Sequence, residues 1–242
     1  MTRILAIDTS STWCSVALSL GDSVPQLRHE LVSAGASQLL LPWVQDLLAQ
    51  AQIKLSDLDV MAVGIGPGAF TGVRLGVAAV QGLAVSAHLP VISVVSLDAI
   101  AAQAIITASF DRIKPTNFVV AIDARMDEIY WAKYEYQQGM PLAKRVGEIH
   151  LSKPEEIDLT GIHYLAGSAI AVYGERLFTH NSIAADCLDP EVPLSALGIL
   201  DCAKPMFKAG LQTDVRCLEP LYVRNKVALT TAERDLVFKK IR

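Results

Sequence analysis

Two aspartates stand where this chain could do chemistry. Asp8 and Asp123 each close an Ala-Ile-Asp strand end, at residues 6–8 and 121–123. A carboxylate at the mouth of a hairpin can hold a metal nucleotide, provided small residues let backbone N–H groups reach the phosphates. The first turn, DTSST at residues 8–12, is small and hydroxylated but lacks glycine. The second, DARMDE at residues 123–128, is bulky, and its three acids repel a polyphosphate. The simpler reading is that both aspartates hydrogen-bond their own turns. A further candidate is Gly66-Pro67-Gly68 at the head of a helix, with Arg74 one turn on. Free N–H groups and the positive end of the helix dipole invite an anion there. No GK[ST] follows, and a tight packing turn is the alternative. The five histidines include neither HxxxH nor HExxH, the four cysteines make no CxxC pair, and no serine sits in GxSxG. No metal site on one helix and no nucleophilic triad can be assembled from them.

The elements that position these residues follow from periodicity. Strands are expected at Arg3–Asp8, Trp13–Leu20 and Gln26–Val32, then a helix from Ser37 to Gln52 and a strand at Val60–Ile65. Thr71 is expected to cap the helix that follows the glycine turn, and Ser96 to cap a third helix, Leu97–Thr107, after a strand at Val91–Val94. The charged, proline-containing stretch Asp111–Asn117 then reads as a boundary, and the meander repeats at Phe118–Asp123, Glu128–Tyr136 and Leu142–His150. Beyond it the pattern suggests a short helix at Lys153–Ile157, a short strand at His163–Ala166 and a helix at Leu194–Lys208. The expected organisation is two lobes, residues 1–110 and 111–242, each opening with a three-stranded antiparallel meander followed by αβα elements, the second lobe reduced. That is the layout of the actin, Hsp70 and sugar-kinase (ASKHA) superfamily. The 194–208 helix is a candidate to pack back on the first lobe.

Two helices carry more apolar surface than one core needs. Leu40, Val44, Leu47, Leu48 and Ala51 form a core stripe, and Leu39 and Trp43 add a second ridge. In the next helix Gly72, Gly76 and Ala79 share a bare face, although each interior glycine costs about 1 kcal/mol against alanine. Close approach by another element offsets such a cost. Hydrophobic residues make up 52% of the 242, charged ones 19%, and the mean hydropathy is +0.36, which favours a partner interface. A net charge of −4 gives no global positive field for nucleic acid. There is no unbroken apolar run of about 18 residues, so no membrane span is expected. With no signal-peptide layout at MTRILAIDTS and with scattered cysteines, the expected location is cytoplasmic.

Four collinear stretches carry a resemblance: ILAIDTSSTWCSVAL, GIGPGAFTGVRLGVAAVQGLA, DARMDEIYWAKY and PLYVRNKVAL. Together they closely resemble the TsaB (YeaZ) family over nearly the whole chain. The resemblance implies a non-catalytic paralogue of TsaD, which transfers threonylcarbamoyl to adenosine 37 of tRNAs reading ANN codons. It implies a heterodimer with TsaD through the N-terminal helices, a homodimer when TsaD is absent, a further small ATPase, TsaE, and tRNA met through the complex. ATP and metal then belong to the partner subunits, with no cofactor on this chain. Where TsaD-like relatives carry HxxxH, this chain reads Ala36-Ser37-Gln38-Leu39-Leu40-Leu41-Pro42, and it lacks the HSE of many TsaB relatives. On this reading Leu39, Trp43, Gly72, Gly76 and Ala79 mark the partner surface. The competing classes are a glycoprotease-like hydrolase and an ASKHA-type ATP-dependent kinase. The basic cluster Arg224, Lys226, Arg234, Lys239, Lys240 and Arg242 is a candidate tRNA contact or a solvated end.

Overall fold

The computed structural model describes residues 2–32, 35–180 and 182–223. β1 (Arg3–Asp8), β2 (Trp13–Leu20) and β3 (Gln26–Leu31) form an antiparallel meander, with Arg3 opposite Leu20 and Asp8 opposite Ser15. α1 (Ala36–Gln50) leads to β4 (Val60–Gly64), which lies parallel to β1; α2 (Phe70–Ala87) leads to β5 (Val91–Val94), parallel to β4. The sheet order is β3-β2-β1-β4-β5. Both faces are covered, which is why its inner strands are apolar without alternation. Leu5 and Ile7 face α1 and α2, while Ile4 and Ala6 face the opposite layer.

The second sheet repeats the plan. β6 (Asn117–Arg125), β7 (Glu128–Glu135) and β8 (Lys144–Ser152) form the meander, and two short parallel strands, β9 (Leu165–Ala166) and β10 (Leu188–Asp189), with the short helix α5 (Ala169–Tyr173) between them in sequence, complete the order β10-β9-β6-β7-β8. This is a mixed α/β protein with two five-stranded sheets, each opening with a three-stranded antiparallel meander.

Between the sheets lie α3 (Ser96–Ala104) and α6 (Ala196–Lys208), whose apolar side chains share one core with the inner faces of both. α6 comes from the end of the chain yet packs on β1, β4 and β5 of the first sheet. It crosses α3 closely, because a Cβ on Gly198 would overlap the Ala99 carbonyl. A polar clasp ties the lobes: the Tyr134 hydroxyl donates to Asp98 Oδ1 at 2.7 Å, with Arg145 at 3.5 Å. The boundary stretch holds a short helix, α4 (Ala108–Ile113), capped by Thr107, whose side chain accepts the Phe110 N–H. Phe110 is buried, edge-on to Phe118, Tyr136 and Tyr164.

Several local expectations change. α2 begins at Phe70, its N-cap is Ala69, and Thr71 lies inside the helix. Ser96 is the first residue of α3 and not its cap; its hydroxyl meets Ser10 instead, at 3.1 Å. The third helix stops at Ala104, three residues early, where Thr107 opens α4.

Candidate functional site

The first hairpin turn is closed on itself. Asp8 is buried, with its carboxylate against Gly64, and it accepts the Ser10 N–H at 3.0 Å and the Ser10 hydroxyl. Burial pushes its carboxyl up to about 6, against the opposing pull of the Ser10 hydrogen bonds. The Trp13 N–H donates to the Ser11 hydroxyl. Opposite, the Ala69 N–H at the head of α2 donates to the Ser10 carbonyl at 2.6 Å, and a Cβ on Gly68 would overlap that carbonyl. The N–H groups of Ser10, Trp13 and Ala69, three donors that a phosphate clamp could use, are thus spent inside the protein.

The second turn is closed differently. Three consecutive residues, Arg125, Met126 and Asp127, take positive φ. Asp123 accepts the Arg125 N–H, pairs with its guanidinium at 3.3 Å, and accepts the Tyr173 hydroxyl at 2.8 Å. Arg176 grips Asp127 with two nitrogens and reaches Glu155 with a third, which holds the Asp127 carboxyl below the usual carboxylate range. The carboxylates at 123 and 127 thus have protein partners in place of a metal nucleotide. Asp8, Asp123 and Asp127 are all engaged by donors of the protein itself, and no group of three or more His, Cys, Asp or Glu side chains placed to hold a metal occurs among the described residues.

The bare face of α2 points inward, which corrects its reading as partner surface. A Cβ on Gly72 would overlap the Thr9 carbonyl, one on Gly76 would lie 2.9 Å from Thr9 Oγ1, and that hydroxyl donates to the Gly72 carbonyl. The neighbour that needed close approach is the chain's own β1–β2 turn. Trp43 is likewise in the core, at 8% exposure. It falls three residues after Leu40 and four before Leu47, so it widens the core stripe instead of forming a second ridge. Leu39 and Ala79 are half-buried at the border of the same core.

The outward faces lie elsewhere. On α2 they are Thr71, Arg74, Ala78, Gly82 and Val85, and a Cβ on Gly82 would meet nothing within 4 Å. On α1 Leu41 is exposed. α2 is the one described helix long and apolar enough to cross a membrane by length and composition. Its contacts show another use: Val73, Val77, Val80 and Ala84 are buried on the first sheet, and an apolar, small-residue face is left outside.

Arg74 is not aimed at the Gly66-Pro67-Gly68 turn. Its guanidinium lies 3.7 Å from the centre of the Phe70 ring, and its Nε donates to the Tyr222 hydroxyl at 2.8 Å. Gly66 is occupied as well, accepting the Ser96 N–H on its carbonyl. The Leu221 N–H donates to the Ile65 carbonyl, so the chain's late segment runs over this turn.

Between the lobes is a cleft of about 950 Å³. Ser10, Ser11 and Thr12 lie at one end, and Phe70, Ile100, Tyr130, Val172, Val192 and Leu194 form apolar walls. Sequence reading missed these walls, which come from five separate stretches of the chain.

This arrangement can be set beside known proteins. A family model described as TsaD, tRNA N6-adenosine threonylcarbamoyltransferase, matches residues 28–227. The chain is 37% identical over 232 residues to the tRNA threonylcarbamoyladenosine biosynthesis protein TsaB of Escherichia coli (strain K12), covering 93% of this chain and 96% of that one. To the protein of the same name from Haemophilus influenzae it is 31% identical over 233 residues, covering 93% and 94%. The solved structure of YeaZ from Pseudomonas aeruginosa aligns with a TM-score of 0.78 at 35% identity, over 92% of this chain and 100% of that one. With full-length similarity in both sequence and fold, the chain belongs to the TsaB (YeaZ) family.

Proposed function

We propose that this chain is a non-catalytic subunit of the tRNA threonylcarbamoyladenosine machinery, binding TsaD and supporting threonylcarbamoyl transfer to adenosine 37 of tRNAs reading ANN codons. Its family membership supports a part in that biosynthesis. The observation that carries the non-catalytic reading is the closure of both hairpin turns, with Asp8 held by Ser10 and Asp127 held by Arg176. TsaE joins the complex, tRNA is met through it, and ATP and metal serve the partner subunits, all in the cytoplasm. The proposed contact for TsaD, or for a second copy when TsaD is absent, is the outward side of α1 and α2. Leu41, Ala78, Gly82 and Val85 stand there, with Leu39 and Ala79 at its border. A face of small side chains admits a partner helix closer than the usual spacing of about 8–10 Å.

The test is reconstitution. Purified TsaD, TsaE and the threonylcarbamoyl-adenylate synthase are supplied with tRNA, ATP, threonine and bicarbonate, with and without this chain. Modification that depends on the chain, and is lost with Gly82→Leu, supports the proposal; full modification without it overturns it. Calorimetry with ATP and magnesium on the chain alone covers the kinase alternative, which tight binding with turnover would favour.

A further inference from the structure

The outer edge of a sheet is a row of backbone donors and acceptors open to a further strand, and folded proteins guard such edges. Among the described residues, three of the four sheet edges are guarded. β5 is bridged on its outer side by Thr213, which exchanges both backbone hydrogen bonds with Val91. β10 is only two residues long. β8 breaks its ladder with a register shift between Trp131 and Lys133 of its neighbour, and places Gly147 at positive φ. β3 is regular, and no described strand lies on its outer side. Because the Val32 N–H donates to the Thr12 carbonyl, the even-numbered residues of β3 bond to β2, while Leu27, His29 and Leu31 turn their N–H and C=O groups outward. The Arg28 guanidinium leans over this edge and donates to the Leu27 carbonyl at 3.3 Å. Leu31 is 65% exposed.

We propose that the β3 edge pairs antiparallel with the β3 edge of a second copy of this chain. The sequence selects the register. Two-fold pairings that bond through the outward residues and keep most of the segment from Gln26 to Val32 paired are centred on Arg28, His29 or Glu30. The first sets Arg28 against Arg28 of the second copy, and the last sets Glu30 against Glu30; like charges directly opposite disfavour both. Centring on His29 places Arg28 opposite Glu30 of the second copy, twice by symmetry. These are the non-bonded positions of the ladder, where Cα atoms approach to about 4.5 Å and side chains interact most closely. Leu27 then faces Leu31 of the second copy, which covers the exposed leucine, and Leu27, His29 and Leu31 all find backbone partners across the axis. His29 meets its own counterpart uncharged at neutral pH, since burial lowers the pKa of an imidazole that is stacked on Trp13. The segment Leu-Arg-His-Glu-Leu is therefore its own complement in charge, in apolar contact and in the parity of its hydrogen bonds. Arg28 exchanges a long bond to a carbonyl for a carboxylate. None of the α1 and α2 residues proposed to meet TsaD takes part.

The experiment uses the full-length protein without TsaD, carrying Val85→Asp to disable the outward face of α2, so its outcome is independent of the proposed function. Sedimentation equilibrium gives the dimer dissociation constant of this parent and of its charge variants. Arg28→Glu and Glu30→Arg each set like charges opposite one another and are expected to weaken the dimer at least about tenfold. Both changes in one chain restore opposite charges, and this double variant is expected to return to within about threefold of the parent. The two single variants mixed in equal amounts are expected to pair with each other, because every facing charge is then opposite. Circular dichroism matching the parent places the effect on association and not on folding. In the parent, hydrogen exchange at the outward amides of Leu27, His29 and Leu31 is expected to slow as protein concentration rises, while that of Arg28 and Glu30, already bonded to β2, stays constant. A parent that remains monomeric up to about 1 mM overturns the proposal. So does a dimer that the single variants leave unchanged, or a double variant as weak as either single one.

Discussion

The buried carboxyl of Asp8 is pushed up to about 6 by desolvation, where the free side chain titrates at 3.8. The folded state therefore binds this proton more tightly than the unfolded state. The stability it contributes is complete below the unfolded value and is lost as pH rises through about 6. Its full span is about 3 kcal/mol, from roughly two units at 1.36 kcal/mol each. Asp8→Asn keeps the shape without the charge, so urea midpoints at pH 5 and pH 8 are expected to converge in the variant and to exceed wild type at pH 8. A midpoint difference as large as that of wild type would refute this account. Glycines behave oppositely according to which side of α2 they occupy. Gly76→Leu forces a side chain against Thr9, Val63 and Ile7 and is expected to cost about 3 kcal/mol by overpacking. Gly82→Ala fills open space on an exposed helical turn and is expected to stabilise by about 1 kcal/mol in chemical denaturation.

At the scale of elements, the two functions of α2 separate. Its inner face is fixed by the β1–β2 turn, so variants there fail by misfolding, whereas Val85→Asp on the outer face is expected to fold with wild-type circular dichroism and to lose co-purification with TsaD. Retained co-purification would count against this surface. The meanders, the glycine turn and the duplication were legible because strand alternation and the repeated Ala-Ile-Asp are local signals. Which neighbour the glycine face approaches was not, because periodicity identifies a face without naming what lies opposite. Trp43 shows the same limit: on a helical wheel a broad core stripe and a core stripe with an added ridge look alike. The cleft was illegible for another reason, since its walls come from stretches between Ser10 and Val223 that only the tertiary fold brings together. The basic cluster beginning at Arg224 lies outside the described residues.

At the scale of the molecule, the central layer of α3 and α6 serves both sheets at once. Gly198→Leu drives a side chain into the Ala99 carbonyl and is expected to loosen both lobes together, seen as one cooperative transition at a lower melting temperature. Two separate transitions, with the second lobe unaffected, would contradict this.

The position of α6 also bears on how the protein is made. The first sheet is translated early, yet α6, which packs on β1 and β4, begins 192 residues after Ile4 and 136 after Val60. A nascent chain therefore lacks part of the cover of this apolar face, which α3 alone shares until α6 is made, and the uncovered part is expected to recruit holdase chaperones during elongation. Ribosome-stalled chains ending before Ser195 are expected to stay protease-sensitive throughout, and resistance should arise abruptly once residue 208 has cleared the exit tunnel.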